Sequence, residues 1–287
     1  MPISFFVTFV RKDREEILNM NMNRQLNSTY RREVRPKKGL GQHFLKDLSI
    51  ARRIADTLDD VSIDVPVLEV GPGTGVLTQF LLENKRDLTV VELDGESVGY
   101  LKKHYPVLQE KIIEADFLQL DLNTIFDKPF CVIGNYPYNI SSQIFFKVLE
   151  YKDKIPYCAG MLQKEVAERL ASRPGKKAFG IISVLLQLWY DIEYLFTVEP
   201  TVFDPPPKVQ SAVIRMKRNG RTHLDCDEML LKTVVKTAFN QRRKVLRNSL
   251  KSMLGKENPI FIDPIFDKRP EQLSVEEFIC LTKMIDA

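Results

Sequence analysis

The chain has 287 residues, 42 Lys and Arg against 38 Asp and Glu, a formal net charge of +4 and 44% apolar residues, enough for one large domain, a smaller one and a packed soluble core. Four isolated cysteines (Cys131, Cys158, Cys226, Cys280) exclude a disulfide framework or a zinc site, and three scattered histidines (His43, His104, His223) exclude a metalloprotease-like pair. No metal is expected.

The N-terminal stretch MPISFFVTFVRKDREE holds about eight apolar or small residues before its charges alternate, too few for a signal core or a membrane span. A cytoplasmic protein is expected, with residues 1–37 as a basic, flexible tail and Met20 or Met22 as alternative starts. From Asp47 the chain alternates. DLSIARRIADTLD is an amphipathic helix, with Ile50, Ile54 and Leu58 four apart. VPVLEVG is a buried strand, VLTQFLLENK a helix, DLTVVELD a strand and SVGYLKKHY a helix. KIIEADFL and FCVIGN are further strands, SSQIFFKVLEY is helical, YCAGMLQK extended, EVAERLAS helical and FGIISVLLQLWY a buried helix. DIEYLFTVEP and SAVIRMK follow one another without a helix, as an antiparallel pair at one edge. The alternation predicts an α/β fold, a mostly parallel, doubly wound sheet over residues 38–217. Residues 218–287 read as a small, all-helical second domain behind the linker RNGRTHLD.

Between the first strand and its helix, LEVGPGTGVL places Gly71, Gly73 and Gly75, which let the backbone turn tightly and approach a ligand. Glu92 ends the second strand, 21 residues after Gly71, where a carboxylate can accept ribose hydroxyls. Asp116, followed by Phe117, ends the third, where an acid can take an adenine amino group and a ring can cover the base. A dinucleotide is the alternative ligand, but G-x-G-x-G lacks the last glycine of G-x-G-x-x-G. Glycine loop and two acids together favour S-adenosylmethionine.

After the fourth strand the chain reads Asn135-Tyr136-Pro137-Tyr138. Ligands sit at the carboxyl ends of such strands. Tyr138 can stack on a planar base, Asn135 offers a side-chain carbonyl oxygen, and Pro137 stiffens the turn that holds the Tyr136 carbonyl. Two acceptors on an exocyclic amine draw its nitrogen toward tetrahedral geometry and stabilise the positive charge that develops. Alignment supplies the rest.

The set GQHFL, EVGPGTG, VELD, ADFL, NYPY and FDPPPKVQSAV resembles the ribosomal RNA adenine dimethyltransferases of the KsgA type, from Lys38 to the end. The resemblance implies a Rossmann-like, S-adenosylmethionine-dependent methyltransferase with a helical C-terminal domain. It implies cofactor contacts from His43, Leu45, Gly71, Glu92, Asp116 and Asn135, with Gly73 in the same glycine loop. It also implies two adjacent adenosines in the 3′-terminal hairpin of small-subunit (16S) rRNA as substrate, each methylated twice at N6. The family commonly carries asparagine at the position of His43 and leucine at that of Tyr136. Histidine can still donate to a carboxylate, and at Tyr136 only the backbone carbonyl is needed. By the same resemblance the TVFDPPP loop faces the site, and Phe203 would cover the second face of a flipped base.

Residues 232–256 contain Lys232, Lys236, Arg242, Arg243, Lys244, Arg247, Lys251 and Lys256 and no acid. Val234, Val235, Ala238, Val245, Leu246, Leu250 and Met253 fall at helical spacing, so one face packs while Arg243, Arg247 and Lys251 form a phosphate-binding ridge on the other. Arg31, Arg32, Arg35, Lys37 and Lys38 form a second basic cluster. The expected protein is a monomeric enzyme acting on small-subunit rRNA or the immature small subunit. Alternatives are a large-subunit rRNA or DNA adenine methylase, or a ribosome-assembly factor with dispensable catalysis.

Overall fold

The structure is a computed structural model that describes residues 33–287. The strands are β1 (Phe44–Leu45), β2 (Val67–Val70), β3 (Leu88–Glu92), β4 (Ile112–Glu114), β5 (Cys131–Asn135), β6 (Tyr157–Gln163), β7 (Tyr190–Val198), β8 (Phe203–Asp204) and β9 (Ser211–Arg218). Seven of them form one sheet in the order β4-β3-β2-β5-β6-β9-β7. β2 to β6 run parallel; β9 lies antiparallel between β6 and β7. The expected antiparallel pair of β7 and β9 therefore forms, with β7 at the sheet edge and β9 between it and β6. β2 is buried along its whole length, as a short strand covered by helices on both faces requires. Strand order reverses between β2 and β5, which opens a crevice at their carboxyl ends.

The helix α1 (Leu48–Ala55) starts where the Asp47 carboxylate accepts the Ser49 and Ile50 N–H groups, and it buries Leu48, Ala51, Ile54 and Ala55. The third predicted strand is shorter than expected. β4 stops at Glu114, and Asp116 caps a 3₁₀ turn over Phe117–Gln119 instead of ending the strand.

The expected tail boundary at residue 37 falls within packed chain. Val34 is fully buried, with Phe44 and Tyr100 in its cluster, and Glu33 pairs with Lys103 at 3.0 Å. Arg31 and Arg32 lie outside the described residues.

Beyond β9 the chain is helical. Its main helix Glu228–Asn240 is capped by Asp227, and the last helix Val275–Asp286 opens with a capping box between Ser274 and Glu277. Phe239 stacks on Phe278 at 6.0 Å and meets Phe179 of the sheet unit at 6.4 Å, so one apolar cluster runs through both parts.

The basic segment 232–256 is not one helix. The chain turns at Gln241–Lys244 and resumes as two short helices, Leu246–Ser249 and Lys251–Leu254. Leu246 N–H donates to the Lys268 carbonyl at 2.8 Å, which holds the new direction. Most of the predicted apolar residues are nevertheless inside, with Val234, Val235, Ala238, Leu246 and Leu250 fully buried, while Val245 and Met253 are half-buried.

Phe203 departs from expectation. It is fully buried and lies opposite Leu45 in the β1–β8 pair, among Leu45, Leu48 and Val213. It anchors the segment before α1 and has no surface to offer a base. Phe203→Ala should therefore lower stability by about 3–5 kcal/mol in urea denaturation, the usual loss for a buried phenylalanine. Wild-type stability would place the ring outside the core.

Candidate active site

The crevice at the β2/β5 switch is lined by the glycine loop, the ends of β3 and β4, the turn after β5 and residues 40–45. Gly73 has φ +56, and a Cβ there would meet the Phe44 ring at 3.0 Å, so the loop closes this way only with glycine. Its N–H donates to Glu92 Oε2 at 2.9 Å. Glu92 Oε1 accepts the Leu93 and Asp94 N–H groups, both at 2.9 Å. The carboxylate is buried at the tip of β3 and aimed by three backbone donors. Burial raises its pKa, and those donors oppose the rise. Three bonds occupy most of its roughly four acceptor positions, so about one position is left for a ligand hydroxyl where two were anticipated.

Gly71 has φ +67 and receives β3 through its N–H on the Val91 carbonyl at 2.9 Å. Asp116 lines the crevice with one oxygen bound to Leu118 N–H at 2.9 Å, and Phe117 lines it from a buried position. Leu45 lines the floor, 3% exposed. Thr74 Oγ1 is buried on the same wall and has no hydrogen-bond partner. An orphaned hydroxyl, an oriented carboxylate and a second acid fit a ligand with a ribose and an adenine. Gly71, Gly73, Glu92, Asp116 and Leu45 would hold S-adenosylmethionine here.

The turn after β5 is held from both sides. Asn135 Nδ2 donates to the His43 carbonyl at 3.3 Å, which leaves Asn135 Oδ1 as an acceptor. The His43 ring contacts the Pro205 carbonyl through Nδ1 at 2.8 Å and lies 5.4 Å from the Tyr138 ring, tilted by 30°. Tyr138 is half-buried and its hydroxyl bonds Ser211 Oγ, so the ring is fixed at the mouth.

The Tyr136 side chain is 1% exposed; only its backbone belongs to the crevice chemistry. The hydroxyl donates to the Ala159 carbonyl at 2.7 Å, and the ring meets Phe145 edge-on. It lies over Gly134 and Gly160, paired across β5 and β6; added Cβ atoms there would stand 3.0 and 2.7 Å from it.

Glu69 was not anticipated as a site residue. It points from β2 into the same wall, 1% exposed, and accepts only Thr78 Oγ1 at 2.7 Å. Burial pushes its pKa up to about 8; the Thr78 bond opposes this and the Glu92 charge adds to it. An acid in the middle of an apolar strand signals such a group, but only the fold shows that Glu92 stands near it.

Of the expected RNA-binding residues, Arg243, Lys244 and Lys251 are exposed and make no ion pair among the described residues. Arg247 is tied to Asp267 at 2.7 Å, and Arg242 reaches Glu271 at 3.9 Å and the Lys176 carbonyl at 3.4 Å. The ridge of Arg243, Arg247 and Lys251 is therefore broken, and an acid from later in the chain neutralises its middle residue.

A carboxyl that stays protonated to about pH 8 in the folded chain stabilises fully below its ordinary value of 4.5, and that contribution is lost as pH rises through about 8. Glu69→Gln removes the titration. Between these limits the wild type should lose stability relative to Glu69→Gln by up to about 1.4 kcal/mol per pH unit, read from urea midpoints without cofactor. A difference that stays constant across the window would mean that Glu69 is already ionised.

The chain is similar to known proteins over most of its length. A protein named ribosomal RNA small subunit methyltransferase A from Parabacteroides distasonis is 70% identical over 251 residues, covering 88% of this chain and 94% of its own. Its counterpart from Bacteroides thetaiotaomicron is 64% identical over 254 residues, covering 88% and 95%. Among solved structures, a dimethyladenosine transferase from Plasmodium falciparum superposes with a TM-score of 0.71 at 23% identity over 85% of this chain and 98% of that one, a likeness of fold. The 23S rRNA methyltransferase ErmE follows with a TM-score of 0.62 at 26% identity, covering 85% and 100%. The sequence profile of one family matches residues 34–286, from the buried Val34 to the last helix, and by that match the chain belongs to the ribosomal RNA adenine dimethylase family, whose cofactor is S-adenosylmethionine.

Proposed function

We propose that this chain transfers methyl groups to N6 of two adjacent adenosines in the 3′-terminal hairpin of small-subunit (16S) rRNA, twice on each, during small-subunit biogenesis. It acts as a cytoplasmic monomer on the rRNA or the immature subunit. The observation that carries the reading is Asn135, whose amide nitrogen is engaged by His43 and whose oxygen is left to accept.

S-adenosylmethionine supplies a methyl already activated on a sulfonium. At the first transfer Asn135 Oδ1 and the Tyr136 carbonyl would accept the two hydrogens of the target amine, and at the second the one that remains, freeing its lone pair and stabilising the charge that forms, with the displaced proton passing to solvent each time. Tyr138, braced by Ser211, stacks on the base. Buried Phe203 does not take the other face, and the exposed Pro205 meets the His43 ring through its carbonyl at 2.8 Å. Arg243, Lys244 and Lys251 bind phosphates, which position the RNA without reading it.

The small-subunit assignment is supported by 70% identity to a protein named for that subunit, against 26% to the 23S enzyme. Mass spectrometry of both rRNAs from a deletion strain tests it. Dimethyladenosine should vanish from the small-subunit hairpin; loss from large-subunit rRNA alone would overturn the assignment.

Asn135→Ala should lower the single-turnover rate by about 10²–10³, the usual effect of losing one preorganised polar group, while RNA affinity holds. Undiminished turnover would remove Asn135 from the chemistry.

Replacing Arg243 and Lys244 by Ala should weaken binding to RNAs of different sequence by similar factors. The slope of log K against log salt should shrink by about 1.4–1.8, at roughly 0.7–0.9 per phosphate. Arg247→Ala breaks the Asp267 pair and should leave that slope nearly as it is. An unchanged slope in the double variant would make this surface a solvated face only.

A further inference from the structure

Residues 37–45 form a strap across one wall of the crevice, and Leu40 to Leu45 all line it. Its far end is fixed to the body by β1–β8 pairing and by Lys46 N–H on the Val202 carbonyl at 2.8 Å. Its middle packs on the turn after β5, where a Cβ on Gly41 would stand 2.8 Å from Asn139 Oδ1. Its near end meets the buried Asp94 and, through Lys37 Nζ at 3.2 Å, the exposed Glu96.

The Asp94 side chain is 1% exposed and caps the helix Gly95–His104 through Glu96 N–H at 3.3 Å. Ser97 Oγ donates to it at 3.1 Å. Two further donors come from the strap: Lys37 Nζ, which bonds Oδ1, and Gln42 Nε2, at 3.2 Å from Oδ2. Lys37 N–H donates to Gln42 Oε1 at 2.8 Å, which folds the strap back so that both donors reach the same carboxylate. Burial alone would raise the Asp94 pKa, but the Lys37, Gln42, Ser97 and Glu96 donors together hold it below the usual range. A helix cap needs none of the strap donors. Meanwhile the Asp94 N–H is one of the three that aim Glu92.

We propose that Asp94 is a positioning residue that latches the strap with its side chain and aims Glu92 with its backbone, so that closing the strap and retaining the cofactor are one event. The near end is held by side-chain bonds alone, chiefly this latch with the more exposed Lys37–Glu96 pair at 3.2 Å beside it, whereas the far end is fixed by backbone pairing. Breaking the latch frees residues 37–42 while β1 stays in place.

The test uses the full chain and S-adenosylmethionine, read by cofactor dissociation in stopped flow and by amide exchange of residues 38–45 in the bound state. Asp94→Ala risks the helix cap, so the strap side is altered instead, in Lys37→Met and Gln42→Ala. Each should release cofactor about three- to tenfold faster, the loss expected for one charge-assisted bond discounted for the exposure of Lys37. Exchange of residues 38–42 should quicken with it. Lys37→Arg should restore both readouts. Raising salt should narrow the gap between wild type and Lys37→Met, since the Lys37 ammonium is partly exposed to water. Wild-type dissociation in both variants would overturn the proposal, as would faster release with unchanged exchange in the strap.

Discussion

Parallel pairing of β2 with β3 and with β5 is the constraint on which the site rests. The register sets Val70 beside Val91 and Glu69 beside Ile133, so three strands end at one rim. Gly71, Glu92 and Asn135 stand there because each is at or just past the last residue of its strand. Side chains alternate along a strand, so a slip of one residue would turn Glu92 and Asn135 away from the crevice. Apolar runs buried on both faces give that register its strength. The polar groups then need only local aim: three backbone donors on Glu92, one carbonyl on Asn135.

The local signals were legible where chemistry and chain neighbours coincide. Glycines after a strand, an acid at the next strand end and the amide-aromatic turn all declare themselves within a few residues. Phe203 was misread because its partner Leu45 is remote in the chain; a phenylalanine before prolines looks the same whether it faces a base or a core. The basic ridge was misread for the same reason. The absence of acids from residues 232–256 says nothing of Asp267 and Glu271, which fold back onto Arg247 and Arg242. Helical spacing identified the buried residues of that segment, since a turn between short helices can keep the same side chains inside.

Tyr136 shows how a departure from a family's usual residue is accommodated. Gly134 and Gly160 leave a furrow between β5 and β6, and the larger ring fills it with its hydroxyl satisfied by a strand carbonyl. The substitution therefore changes packing beneath the turn and leaves the backbone carbonyl above it available.

The strap also has a place in time. It precedes the whole sheet in the chain, yet each of its anchors is made later: Asp94 lies 57 residues beyond Lys37, Asn135 92 beyond His43, and Pro205 162 beyond His43. Contacts of such long range form late, because the loop entropy must be met before they contribute. During synthesis the glycine loop and both acids can assemble from residues already made, while their cover waits for the last third of the sheet. The cofactor thus has no finished pocket to bind until β8 has emerged. It cannot rescue a chain stalled before that point, and its stabilising effect falls wholly on the completed fold.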